Sequence, residues 1–188
     1  MRVRVRFSKQ GKIRFTSHRD VARIWERAIR RVQLPIAYSE GFSPRPKVHF
    51  GLALTTGHES LGEYLDIDLV PDAASGVDVD QWPQLLTPAL PVGIDVQAAA
   101  IINTGMDSLQ QAVTSCSWRF EIAGPGVIDL AQAVEHVLAA PELITTRQRK
   151  GSDVTDDIRP YILDLAVGGE VPVTLLARKP DPQTAGVG

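Results

Sequence analysis

The chain has 188 residues, of which 44% are apolar and 22% charged, a composition typical of a globular protein with a core of its own. No apolar run is long enough to cross a membrane and no charged-then-apolar segment opens the chain, so we expect a cytoplasmic protein without a membrane partner. The single cysteine, Cys116, excludes an internal disulfide and a cysteine-ligated cluster or zinc site within one chain. We expect no cofactor and no metal.

The net charge of −2 conceals an uneven distribution. Residues 1–50 hold 13 Lys and Arg against 3 acidic residues, a balance of +10, and residues 51–188 hold 7 basic against 19 acidic residues, a balance of −12. Such a split indicates either an anionic partner for the first segment or an internal match between the two segments.

The first part of the chain alternates between strand and helix patterns. The opening RVRVRF alternates strictly, with Phe7 and the valines on one face, and SHRDVARIWERAIRRV predicts a helix with Ser17 as N-cap and Asp20 at the capping-box spacing. KVHFGLAL and GEYLDIDLV predict two more strands, VDVDQWPQLLTPA a short helix, and VGIDVQAAAII a fourth strand. This order predicts an α+β fold whose N-terminal half, residues 1–103, is a ferredoxin-like split βαβ unit.

A second series of elements follows a connector at residues 104–115. SWRFEI predicts a strand, DLAQAVEHVLAA a helix, LITTRQR a strand, and DIRPYILDLAV with EVPVTLLA a hairpin turning at a glycine pair. We expect residues 116–180 to form a second, incomplete ferredoxin-like half. Residues 181–188 end no element, so they are either a linker or the point where the chain has been cut short.

The first predicted helix carries a row of basic side chains. Arginines recur every three to four residues on one side, at Arg19, Arg23, Arg27 and either Arg30 or Arg31. Guanidinium groups in such a row can follow a phosphate backbone through paired hydrogen bonds. The alternative is a solvated charged face.

The first strand carries a second arginine row, which we expect to be neutralised. In a ferredoxin-like sheet this strand lies between the third and fourth strands, whose outward faces carry carboxylates. Cross-strand ion pairs would then cancel most of the charge. The residues concerned are Arg2, Arg4 and Arg6, with Asp66, Asp68 and Asp95 facing them.

The segment SEGFSPRPKVHFG, residues 39–51 (the corner), combines rigidity with positive charge. Its prolines restrict the residues before them to extended geometry, so Arg45, Lys47 and His49 should project on one side at period two. A preorganised set of cations binds an anion at a lower entropy cost than a flexible loop. The alternative is a rigid lead-in to an edge strand, with Pro46 placed where no ladder donor is needed.

Recognised catalytic templates are missing from the sequence. It has no Gly-rich phosphate loop, nucleophile elbow or two-histidine metal motif, so we lean against an enzyme. The remaining enzymatic hypothesis uses His18 as general acid or base, together with Asp20 or Glu63.

The late stretch RQRKGSDVTDDIRPY combines basic and acidic groups. A basic cluster of Arg147, Arg149 and Lys150 is expected on an exposed turn. Asp157 and Arg159 are expected to flank an inward-facing Ile158.

Several stretches resemble the radical SAM-linked protein family, a domain of unknown function. They are VRVRFSKQGKIRFTSHRDVARIWERAIRR, IAYSEGFSPRPKVHFGLAL, ESLGEYLDIDL and RKG…DIRPYI, and together they cover most of the chain. The closing TAGVG looks like the beginning of a further family block. The family's recurrent residues found here, whose role the resemblance leaves open, are His18, Arg19, Asp20, Ser43, Arg45, Lys47, Glu63, Asp157 and Arg159.

The resemblance implies a domain fused behind a radical SAM protein or encoded freely near an RNase E/G-type ribonuclease. This chain has no CxxxCxxC motif and so is not itself a radical SAM enzyme of the usual kind. We expect an accessory protein of RNA processing or modification that binds RNA or another phosphate-rich ligand. The alternative is an adaptor docking on a radical SAM protein or ribonuclease. The expected anion-binding residues are Arg19, Arg23, Arg27, Arg30, Arg45, Lys47 and His49.

Overall fold

A computed structural model describes the architecture. It describes residues 1–71, 77–103, 105–121, 130–149 and 151–167, and the backbone of 173–178. The chain divides into two compact units, Met1–Ala112 and Val113–Gly188. Within the described residues no helix is both long enough and apolar enough to cross a membrane.

The first unit is a four-stranded antiparallel sheet with helices. The elements in chain order are β1 (Arg2–Lys9), α1 (His18–Arg31), β2 (Val48–Phe50), β3 (Ser60–Asp68), α2 (Trp82–Leu86), β4 (Ile94–Ile102) and the short α3 (Leu109–Ala112). The strand order in the sheet is β2–β3–β1–β4. The α+β class and the four predicted strands are therefore confirmed for this unit.

The core of the first unit lies between the sheet and its helices. The inward residues predicted for β1, Val3, Val5 and Phe7, are 2% exposed or less. The apolar stripe that helical spacing predicts for α1 consists of Val21, Ile24, Ala28, Ile29 and Val32. Trp25, which is not in that stripe, is fully buried and packs edge-to-face on Phe7 with ring centroids 4.9 Å apart. Burial of these large side chains fixes the side of α1 that faces the sheet, and so the side that faces solvent.

The second strand is shorter than the sequence predicts. The predicted alternation ran inward through Leu52 and Leu54, but β2 ends at Phe50 and Leu52 is 46% exposed. The Gly51 N–H donates to the Tyr64 carbonyl at 3.1 Å, after which the chain leaves the edge of the sheet. Without a ladder partner, the alternating pattern no longer determines which side chains are buried.

The second unit holds a three-stranded sheet and a separate hairpin. Its elements are β5 (Ser115–Phe120), α4 (Leu130–Ala139), β6 (Ile144–Arg149), β7 (Ser152–Asp157), β8 (Ile162–Ala166) and β9 (Val173–Arg178). The sheet order is β5–β9–β8, and β6 pairs with β7. The predicted pairing of the last two strands is confirmed, and the glycine pair between them lies outside the described residues.

Two expectations for the second unit are wrong. The strand predicted for LITTRQR is confirmed as β6 and contains Arg147 and Arg149, so these two residues do not lie on the exposed turn expected for them. Lys150 lies outside the described residues. The strand β7, which pairs with β6 along its whole length, was not predicted. Ile158 does not point inward but is 36% exposed. It follows the last residue of β7, where the strand alternation no longer applies.

Candidate functional site

Helix α1 presents its arginines on the side left free by the core. The Ser17 hydroxyl accepts a hydrogen bond from the Asp20 N–H at 3.2 Å and lies 2.7 Å from Asp20 Oδ2, which confirms the predicted cap. The hydrogen bond with Ser17, followed by the one from Arg23, lowers the pKa of the Asp20 carboxyl. Asp20 therefore serves the helix terminus as a carboxylate.

The corner is held by hydrogen bonds as well as by its prolines. The Lys47 N–H donates to the Ala37 carbonyl and the Ser39 N–H to the Arg45 carbonyl, both at 2.8 Å, and the Arg45 N–H donates to Ser39 Oγ at 3.0 Å. These bonds make the base of the corner a two-stranded ribbon that carries residues 40–44 at its tip. The buried Pro46 lies opposite Tyr38, between these two backbone bonds, so its missing N–H leaves no acceptor unpaired.

The arginine face of α1 and the corner form the two walls of one groove. Its volume is about 260 Å³. The helix contributes Arg19, Ala22, Arg23, Glu26 and Arg30, and the corner contributes Ser43, Pro44 and Arg45. The helix residues fall on one stripe, because successive members are separated by one, three or four positions.

The groove carries excess positive charge that is available to a ligand. Four arginines and one glutamate line it. Arg23 pairs with Asp20 at 3.1 Å in an exposed i,i+3 contact, whereas Arg19, Arg30 and Arg45 form no ion pair with any described carboxylate. Guanidinium groups in this state can donate paired hydrogen bonds to a phosphate or carboxylate entering the groove.

Three of the predicted anion-binding residues lie outside the groove. Arg27 is exposed on another part of the α1 surface, and Lys47 is exposed at the base of the corner. His49 is in β2, where its Nε2 lies 3.1 Å from Asp68 Oδ2. The structure therefore brings together Arg19, Arg23, Arg30 and Arg45 and separates the other three from them.

Two of the three arginines of β1, Arg2 and Arg4, are paired across the sheet, as the sequence predicts. Arg2 reaches Asp68 at 2.6 and 3.3 Å, and Arg4 reaches Asp66 at 2.8 and 3.0 Å. The hydrogen bond to the partner carboxylate raises the pKa of each of the two guanidiniums against the opposing effect of burial. Burial alone would raise the pKa of the Asp68 carboxyl, but hydrogen bonds from Arg2 and His49 outweigh it and the pKa is lowered.

Arg6, the third arginine of this row, does not form the ion pair that we expected. Arg6 lies opposite Tyr64 and Ala98, and Asp95 lies opposite Ser8. The β1–β4 register places Ala98 beside Arg6, so Asp95 lies two positions further along β1 than the expected pairing requires. Among the described residues Arg6 has no ion-pair partner.

The groups of the enzymatic hypothesis do not all meet. His18 and Glu63 line one small cavity of about 20 Å³, but Asp20 is bonded to Ser17 and Arg23 instead. The His18 ring packs edge-to-face on Phe50. A cavity of this size holds about one water molecule.

The same cavity contains a lysine that the sequence reading missed. Lys9 is 2% exposed, and its ammonium donates to the carbonyls of Arg14 and Thr16 at 3.4 and 3.0 Å. Burial lowers the pKa of Lys9, and the nearby Glu63 carboxylate opposes that shift. The burial could have been suspected from the alternation of β1, which directs Phe7 and Lys9 to the same side.

Asp157 and Arg159 of the second unit have structural contacts. Asp157 Oδ1 accepts from the backbone N–H groups of Leu143 and Arg159, at 2.7 and 3.0 Å. The Arg159 guanidinium donates to the carbonyls of Leu138 in α4 and Ile162 in β8, at 2.8 and 3.1 Å. The two residues thus tie α4, β7 and β8 together, satisfying one of the last helix carbonyls. Within the described residues no cluster of three or more His, Cys, Asp or Glu could hold a metal ion.

A family model described as "Uncharacterized protein conserved in bacteria (DUF2344)" matches residues 2–184. No curated protein matches the chain.

Proposed function

The chain belongs to the DUF2344 family, and we propose that it is a non-catalytic RNA-binding protein of the cytoplasm whose RNA site is the groove between α1 and the corner. The observation that carries the proposal is the convergence of arginines from two separate elements on one concave surface. Three of them, Arg19, Arg30 and Arg45, have no described carboxylate partner. Cations held this way favour a polyanion, because each new phosphate contact releases condensed counterions.

The rigidity of both walls supports the same function. One wall is a capped helix packed on the core through Trp25, and the other is a ribbon closed by backbone bonds around Ser39 and Arg45. Residues that are already ordered need little further ordering when a ligand binds, so more of the contact energy contributes to affinity.

The proposal also covers the fold class and the protein partners. The strand order β2–β3–β1–β4, with two helices between the strands in the chain, supports a ferredoxin-like class for the first unit. From the family resemblance we further propose that the RNA-bound chain assists a radical SAM protein or an RNase E/G-type ribonuclease.

The test compares two charge reversals of equal size. Arg23, Arg30 and Arg45 are replaced together by Glu in one variant, and the exposed residues Lys12, Arg119 and Arg149, which lie outside the groove, in the other. Both variants change the net charge by the same amount. With a fluorescein-labelled RNA in an anisotropy titration at low salt, the groove variant should lose roughly 100-fold or more in affinity and the control little.

Three results would oppose the proposal. Equal losses in both variants would mean that overall charge, rather than the groove, attracts RNA. An unchanged affinity in the groove variant, with folding verified by circular dichroism, would remove the groove as the RNA site. If the wild type bound no RNA but retained a protein from nuclease-treated lysate through the same arginines, the adaptor function would replace RNA binding.

A further inference from the structure

The tip of the corner carries an aromatic ring with no contacts of its own. Phe42 has a relative exposure of 109%, so the folded protein covers none of it. The ribbon below it is closed by the Ala37–Lys47 and Ser39–Arg45 bonds, and Gly41 beside it adopts a φ of +119°, which a residue with a side chain rarely adopts. An apolar side chain is thus held in water by an ordered piece of backbone.

Another exposed phenylalanine in the same unit shows how such a ring is usually accommodated. Phe15 is 62% exposed, and the Arg14 guanidinium lies over its ring at 4.6 Å from the centroid. Phe42 has no ring or cation contact with any described residue. Leaving a whole phenyl group in water forgoes the hydrophobic gain of burial. Single exposed apolar residues are common on protein surfaces, so only the location of Phe42 points to a ligand.

The position of Phe42 beside the groove indicates the kind of ligand. The three residues that follow it, Ser43, Pro44 and Arg45, all line the groove. The flat apolar side chain of Phe42 is therefore adjacent in the chain to residues that line a groove rich in arginine. Single-stranded nucleic acids present the matching pair of groups, a base and its phosphate, at every nucleotide.

We propose that Phe42 stacks on an unpaired base of the nucleotide whose phosphate lies in the groove, so that the ligand is single-stranded RNA. This inference rests on the proposed RNA function and adds the strandedness of the ligand. A base inside a duplex is covered on both faces by its neighbours, so it offers no free face to Phe42. Insertion of Phe42 into an apolar pocket of a protein is disfavoured, because the arginines beside it would have to be desolvated.

The experiment separates the base from the phosphate. Four ligands of equal length are titrated at fixed salt: single-stranded RNA, single-stranded DNA, duplex RNA, and an abasic strand. The abasic strand keeps the sugar–phosphate backbone and lacks every base. Wild-type protein should bind the single-stranded RNA about 5- to 100-fold more tightly than the abasic strand, the range expected for stacking one base on an aromatic ring. It should also prefer the single strand over the duplex.

The variants then assign the preference to one ring. Phe42→Ala should bind the RNA and the abasic strand about equally, Phe42→Trp should keep the preference, and Phe15→Ala should behave as wild type. Because residues 40–44 are exposed, the Phe42 variants should fold normally. A DNA affinity equal to that for RNA would support stacking without sugar recognition, and a weaker one would support stacking with RNA selectivity.

The two proposals fail in different ways. If Phe42→Ala keeps the full preference for base-containing strands while the arginine reversal abolishes binding, stacking by Phe42 is wrong and the RNA groove stands. If Phe42→Ala lowers the affinity for the abasic strand as much as the affinity for RNA, the ring stabilises the structure of the corner and does not stack on a base. The inference is then also overturned. If no strand binds the wild type at low salt, both proposals fall.

Discussion

The paired arginines of β1 and the free arginines of the groove have the same chemistry and opposite surroundings. Arg2 and Arg4 each face a carboxylate on the neighbouring strand at hydrogen-bonding distance, and Asp66 is only 2% exposed. Arg30 and Arg45 face an open groove and no described carboxylate. The difference shows that the number of basic residues in a segment measures its positive surface only after strand pairing has been taken into account.

The two sets should differ most in their contribution to stability. Replacing Arg4 by Ala leaves the Asp66 carboxylate buried without its partner, which should cost about 3 kcal/mol in the free energy of unfolding. Replacing the exposed Arg30 by Ala should change it by less than about 0.5 kcal/mol. Urea denaturation of both variants measures the difference.

A third variant tests the cause of the Arg4 effect. When Arg4→Met is combined with Asp66→Leu, the buried charge disappears together with its partner, so most of the lost stability should return. If the double variant is as unstable as Arg4→Ala, packing around Arg4, and not the orphaned carboxylate, is responsible.

For the salt dependence of RNA affinity, we expect the larger effect from a groove arginine and the smaller one from a paired arginine of β1. Arg30→Ala removes one phosphate contact of the proposed site, so the slope of log affinity against log salt concentration should become shallower by about 0.7, the value for a single strand. Arg2→Ala should leave the slope unchanged, because that guanidinium is already bound to Asp68. Equal slopes for the two variants would remove the distinction between paired and free arginines.

The smallest expected effect is on stability in acid. The pKa of Asp68 is lowered in the folded state, so its stabilising contribution is fully present above the ordinary carboxyl pKa of about 3.9 and is lost as the pH falls through the lower folded value. Asp68→Asn should therefore be less stable than the wild type at pH 7, and the gap should narrow towards pH 2.

A matched variant controls for the general effect of losing one acidic group. Asp153→Asn removes an exposed carboxyl of the second unit and should stay within about 0.5 kcal/mol of the wild type at pH 7. A gap between Asp68→Asn and the wild type that persists unchanged at pH 2 would show that the Asn side chain disturbs the strand end for another reason.

The regular elements of the first unit were predictable from local patterns. Strict alternation in β1 specified its buried face, and the Ser17–Asp20 spacing specified the start of α1. The burial of Trp25 was not predicted, because its side chain was not counted in the apolar stripe. The end of β2 was not predicted either, because it depends on the contact between Gly51 and Tyr64. Strand ends are decided by partners distant in sequence, which a local pattern does not contain.

The site was predictable in its parts but not in its assembly. The sequence singled out the α1 arginines and Arg45, yet it could not distinguish Arg27, which lies outside the groove, from Arg23 and Arg30, which line it. That distinction depends on where the corner lies beside the helix. In the same way, Phe42 is only one more residue of a turn until its complete exposure is known.

Asp68 fixes the position of the corner, which bears on how fast a ligand can bind there. Its carboxylate holds Arg2 and His49, while its backbone accepts from the Ala37 N–H at 2.8 Å and donates to the Lys47 carbonyl at 3.0 Å. Both ends of the ribbon below the tip are therefore fastened to the last residue of β3, which prevents the ribbon from swinging as a hinged flap. At the proposed site, a strand of RNA would therefore bind without a closing step of the corner, and we expect its association rate to be set by diffusion under electrostatic attraction.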